Sequence, residues 1–132
     1  MAEKSLDDLG QLQRAVIETI WDLDQASVHQ VSEQLSKKKK KNLAYTTILT
    51  TMQKLEKTGW LTHQKQGKSY IYLPTRTRKQ ASDKSVRKFI KEIFNGNTML
   101  MFQHLMDQSN LSEQEFKELQ KIIENKRKGN KK

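Results

Sequence analysis

With 132 residues, no cysteine and 30% charged side chains, the chain has room for one compact unit or two small ones, and none for a large enzyme pocket with its support. The missing cysteines exclude disulfides and thiolate metal sites and fit a reducing cytoplasm. The net charge of +10 is concentrated: residues 37–91 hold sixteen Lys or Arg against two acids, Glu56 and Asp83, so that block is +14 and the rest −4, the footprint of a nucleic-acid binder.

The first eight residues are acidic and polar, unlike a signal peptide, and no apolar run approaches the roughly 20 residues that a membrane span needs. A first helix is expected from Leu6 to Leu23, because Leu9, Leu12, Val16, Ile20 and Leu23 share one face. Ser27 opens a second, with Gln30 completing a capping box and Val28, Val31 and Leu35 inward. Lys37 to Lys41 repel one another, which predicts a loop or frayed helix end suited to non-specific phosphate contact.

The next segment, Asn42 to Leu61, reads as one amphipathic helix. Ile48, Met52 and Leu55 fall on one face, and Gly59 stands where a helix C-terminus is expected. The opposite face carries Thr46, Thr47, Thr50, Gln53, Lys54 and Lys57. Threonine is an indifferent helix former, yet short hydroxyl side chains with one methyl suit a DNA major groove, where they reach phosphates, base edges or a thymine methyl. Then come two runs rich in aromatic and β-branched residues, 60–65 and 68–73, joined by Gln66-Gly67 and closed by Pro74. They predict a β-hairpin with Lys65 and Lys68 at its tip. A groove-suited helix followed at once by a basic hairpin describes a winged helix-turn-helix.

Beyond it, a fourth helix is expected over about Arg78 to Phe94, with Val86, Phe89, Ile90 and Ile93 inward and Gly96 ending it. A short fifth follows Asn97, and Ser112 with Glu115 caps the sixth. These last three carry too much apolar surface for so few residues, and with neither disulfide nor metal the usual remedy is oligomerisation. Leu105, Phe116, Leu119 and Ile123 are the expected dimer interface. The expected organisation is a DNA-binding domain over 1–75, a helical dimerisation domain over 76–125 and a basic disordered tail over 126–132.

Here the residues resemble a family. Tyr45-Thr46-Thr47-Ile48, the run from Leu55 to Leu61 and Gly67-Lys68-Ser69-Tyr70-Ile71-Tyr72 look like the signature of the penicillinase repressor (BlaI/MecI/CopY) family. Upstream matches are the run Leu9 to Gln13, Val16-Ile17 and Ile20-Trp21. Downstream ones are Phe94-Asn95-Gly96-Asn97 and the run Leu111 to Glu115 with Leu119 and Ile122, so the likeness covers about residues 6–125. It implies a mainly α repressor: a winged helix-turn-helix of three helices and a two-stranded wing, followed by a helical dimerisation region. The implied partners are an operator in double-stranded DNA and a second copy of the chain, with no cofactor. On this resemblance Tyr45, Thr46, Thr47, Thr50, Gln53, Lys54, Lys57, Lys65 and Lys68 face DNA.

The same likeness implies two off-switches, cleavage by a membrane metalloprotease sensor or copper capture by C-terminal cysteines. The second is closed here. For the first, the family's Asn-Phe cleavage bond is missing, and Phe102, Gln103, His104 and Leu105 stand in its place. The family's usual Ser N-cap of the reading helix is Ala44 here, with Asn42 as the alternative cap. Two other readings stay open, a winged-helix module that binds protein and an architectural DNA binder without sequence preference. An enzyme is not expected: His29, His63 and His104 are scattered without ligand spacing, and no nucleophile elbow or phosphate loop exists. The acids that could serve a nuclease, Asp7, Asp8, Asp22 and Asp24, lie far in sequence from the basic block.

Overall fold

A computed structural model describes residues 5–130; the start of the acidic N-terminal segment, Met1–Lys4, and the last two lysines of the expected tail lie outside the described residues. The expected first helix is broken in two. Leu6–Asp8 is a single 3-10 turn, Leu9 is extended, and α1 runs Gln11–Leu23. The cause is local: the Asp8 carboxylate accepts from the Ser5 N–H (3.0 Å) and Gln13 Oε1 from the Gly10 N–H (3.2 Å), so two separate starts satisfy the orphan amides. Next, α2 spans Val28–Lys39, and its predicted capping box is present: Gln30 N–H donates to Ser27 Oγ (3.2 Å) and Ser27 N–H to Gln30 Oε1 (2.8 Å). The lysine run ends this helix, with Lys37 to Lys39 in its last turn, where cations suit the negative dipole end, and Lys40 left-handed (φ 52°).

Helix α3 spans Tyr45–Lys57 and stops at a Schellman cap. Gly59, at φ +89°, gives its N–H to Glu56 O (3.1 Å), and Trp60 gives its own to Leu55 O (2.8 Å), which only a residue free of a Cβ adopts cheaply. The antiparallel strands β1 (Leu61–Gln66) and β2 (Ser69–Pro74) follow, in register from Leu61 opposite Pro74 to Gln66 opposite Ser69. Ala26 adds a one-residue third strand: it exchanges both backbone bonds with Tyr72 (3.0 and 2.8 Å) and ties the hairpin to the α1–α2 turn. The core is built from Val16, Ile17 and Ile20 of α1, Val31 and Leu35 of α2, Ile48, Met52 and Leu55 of α3, and Trp60 and Leu61 beyond it, all buried. Roughly 1.5–3 kcal/mol per fully buried large apolar side chain is what holds three helices and the hairpin base together.

Helix α4 spans Arg78–Phe94, and its first part belongs to this N-terminal unit, which extends to Lys88, past the boundary drawn at residue 75. The reason lies in its anchors. Ala81 is fully buried, Trp21 Nε1 donates to Arg76 O (2.9 Å), and Arg78 reaches Asp22 (2.7 Å) and Glu18 O (3.3 Å). Within the second unit, from Phe89 onward, α5 spans Thr98–Gln108 behind an Asn97 cap and α6 spans Glu113–Asn130 behind the Ser112–Glu115 box. Two expectations are corrected. Val86, Phe89 and Ile93 are exposed in the single chain rather than inward, and Lys126 to Asn130 is helical rather than a disordered tail. Nothing breaks α6 before Gly129, and Arg127 and Lys128 in its last turn complement the dipole.

Candidate nucleic-acid interface

The α2–α3 turn is tied by two serines of α2. Ser36 Oγ accepts from the Leu43 N–H (3.1 Å) and Ser32 Oγ donates to Leu43 O (3.3 Å), which fixes where α3 begins. It begins without a side-chain cap: Ala44 holds the position, and Asn42 does not substitute for the missing serine. With Ile48, Met52 and Leu55 buried, the helical repeat turns Thr46, Thr47, Thr50, Gln53, Lys54 and Lys57 outward, and all six are exposed. The fourth threonine differs. Thr51 spends its hydroxyl on Thr47 O (2.8 Å) and is half-buried, so the exposed threonines are Thr46, Thr47 and Thr50, as expected.

Tyr45, Lys65 and Lys68 are also exposed, so all nine residues expected at DNA lie on the surface of the N-terminal unit. Among the described residues Lys54, Lys57, Lys65 and Lys68 make no ion pair. Exposed lysines are ordinarily just a solvated face; here they flank a threonine-rich helix and a hairpin tip. A cleft of about 640 Å³ is lined by Tyr45 and Gln53 of α3, by Lys68 and Tyr70 of the hairpin segment, and by His29 of α2. Sequence reasoning missed two residues here, Glu56 and His63, which both line the cleft and bond one another. The available signal was that Glu56 is one of two acids in the basic block.

Among the described residues two titrating groups are shifted. The Arg78 hydrogen bond holds the Asp22 carboxyl below the usual aspartate range, helped by the charges of Arg78 and Lys38, while burial pushes the Tyr72 phenol up. A carboxylate lowered in the folded state stabilises above its unfolded value of about 3.9 and loses that contribution as pH falls through the folded value. Melting of Asp22→Asn should therefore match the parent more closely below about pH 4 than at pH 7, where the parent keeps a small advantage, small because the pair is largely solvated. Equal differences at both pH values would refute the anchoring role of this pair.

In the second unit, Leu105, Phe116 and Ile123 are 48%, 43% and 45% exposed and Leu119 is half-buried. Phe102, Gln103, His104 and Leu105 all lie inside α5, where the His104 ring meets that of Phe94 at 5.3 Å. Among the described residues no cluster of His, Cys, Asp or Glu could hold a metal, and no helix is long and apolar enough to cross a membrane.

Comparison with known proteins adds three findings. The profile of the family described as Penicillinase repressor matches residues 9–125. The chain is 26% identical over 121 residues to the penicillinase repressor of Bacillus licheniformis, covering 92% of this chain and 93% of that protein. It is 35% identical over 74 residues to the transcriptional regulator BlaI of Mycobacterium tuberculosis, 55% of this chain and 52% of that protein. A solved chain titled as the complex structure of hsRosR-S4 superimposes with a TM-score of 0.58 at 10% identity, over 94% of each chain, which is a likeness of fold.

Proposed function

Because this chain belongs to the penicillinase repressor family, over residues 9–125, we propose that it represses transcription as a homodimer on a palindromic operator in double-stranded DNA. That it is a DNA-binding transcriptional repressor, and not an enzyme, follows from the family and its relatives. The finer reading rests on one observation: an exposed threonine and lysine face on α3 stands beside an exposed basic hairpin tip, within the block of charge +14. In this reading α3 enters the major groove, where Thr46, Thr47 and Thr50 approach base edges and Tyr45 and Gln53 flank them. Lys54, Lys57, Lys65 and Lys68 hold phosphates.

The second copy is supported by the exposed Leu105, Phe116 and Ile123, since apolar side chains left in water at that density ask for a partner. A cut between Phe102 and Leu105 by a membrane metalloprotease sensor would release the last helix and end repression without touching α3. Because those residues sit in a helix, the protease needs local opening first. Such a repressor works in the cytoplasm, where its DNA is.

Thr47→Ala or Thr50→Ala should cost about 1–3 kcal/mol on a duplex selected by the parent chain and little on its scrambled counterpart. Lys68→Ala should weaken both duplexes alike and lower the salt slope by about one. Binding titrations on both duplexes across a salt series decide it. Equal affinity of the parent for the two duplexes would favour an architectural binder, and threonine variants that keep the parent's discrimination would show α3 misassigned.

A further inference from the structure

His63 stands on β1 two residues beyond the buried Leu61, at the point where the hairpin leaves the core. Everything from Thr62 to Tyr70 is exposed, and a two-stranded ribbon alone in water is marginally stable. The ribbon is nevertheless tied to α3. The His63 Nδ1–H meets both carboxylate oxygens of Glu56, at 2.9 and 2.6 Å. On the same face of the ribbon the His63 ring packs edge-on against Tyr70 (4.9 Å) and beside Tyr72 (5.6 Å), its partner in register.

The chemistry of this pair is odd for a groove-facing surface. A carboxylate near DNA repels phosphate, and Glu56 is kept within a stretch otherwise crowded with lysine. Its side chain and that of His63 are 31% and 38% exposed, so as a stability element the pair is worth little. Its position gives it another use. It joins α3 to β1 within the lining of the cleft that also holds Tyr45 and Gln53 of α3 and Lys68 and Tyr70 beside it on the hairpin. We propose that the Glu56–His63 bond is a brace that sets how far the wing stands from the reading helix, and so which phosphates Lys65 and Lys68 reach. Both are positioning residues, acting through the lysines, and the inference rests on the DNA-reading role proposed for α3 and the wing.

The test starts with the full-length parent, used to select a preferred duplex from a random-sequence pool. That duplex and its scrambled version then serve as probes for Glu56→Ala, Glu56→Gln and His63→Ala, read by salt-dependent binding, phosphate-ethylation interference and melting temperature. The two alanine variants should lose interference at the wing phosphates, lower the salt slope by about one and bind both probes about tenfold more weakly. The discrimination ratio set by α3 should stay, and melting should move by no more than a few degrees. Glu56→Gln keeps an acceptor oxygen for Nδ1–H and should recover most of the wing contacts. Alanine variants with the parent's wing interference and salt slope would overturn the brace, as would a large fall in melting temperature, which would make the pair a structural tie. A parent that recovers no preferred duplex would overturn the DNA-reading role beneath it, a failure visible before any variant is made.

Discussion

Leu119→Asp is expected to give monomers that keep weak, non-specific DNA binding and lose the palindromic operator. Leu119 is half-buried on the helix that also exposes Phe116 and Ile123. An apolar side chain covered by a second subunit contributes roughly 1.5–3 kcal/mol, and a buried carboxylate there costs more through desolvation. The effect on DNA is larger than the effect on the dimer, because two linked reading heads gain roughly 10²–10⁴ in avidity over one. Ile123→Asp, at a position already open to solvent in the single chain, is the companion variant whose folding is least at risk. Sedimentation read beside an operator footprint provides the check. A variant that stays dimeric, or a monomer that footprints like the parent, removes the dimer from the mechanism.

Trp60→Ala should destabilise the N-terminal unit by about 3–5 kcal/mol, the range for truncating a buried aromatic. Trp60 is 1% exposed, its backbone carbonyl accepts from the Thr75 N–H (3.0 Å), and the Arg76 guanidinium lies 4.1 Å over its ring. It therefore joins the end of α3 to the hairpin and to the chain entering α4. For a unit of this size each kcal/mol moves the melting temperature by roughly 4–8 °C, so the loss is large by calorimetry. Trp60→Phe should cost far less, because the indole N–H is buried without a partner and phenylalanine does away with that unmet donor. Similar losses for the two variants would show that ring volume does not account for the effect.

The two variants separate what each half of the chain reveals about itself. Periodicity and capping chemistry are local properties, so Ser27 with Gln30, Asn97, Ser112 with Glu115, and Gly59 announced four helix ends that the structure bears out. The hairpin was equally legible, since its turn glycine, flanking aromatics and closing Pro74 sit within one short stretch. The resemblance supplied the family, whose profile takes in residues 9–125. Where two local signals competed, sequence reading erred. The Leu6-to-Leu23 face is continuous, yet the caps at Ser5 and Gly10 divide it, and a helix was expected to end at Lys126 where no breaker stands.

Only the tertiary structure decided what depends on residues far apart in the chain. The bridge from Ala26 to Tyr72 spans 46 residues, and Arg78 reaches back 56 residues to Asp22, which is why α4 starts as part of the first unit and not of a second domain. The exposure of Val86, Phe89 and Ile93 was hidden for a related reason: an apolar stripe says that a face wants cover, and not whether this chain provides it. Glu56 and His63, seven residues apart on different elements, meet because Gly59 turns the chain left-handed between them and sends β1 back past α3. The composition of that stretch raised the expectation of a nucleic-acid surface; the turn at Gly59 brought the one acid of α3 onto the wing.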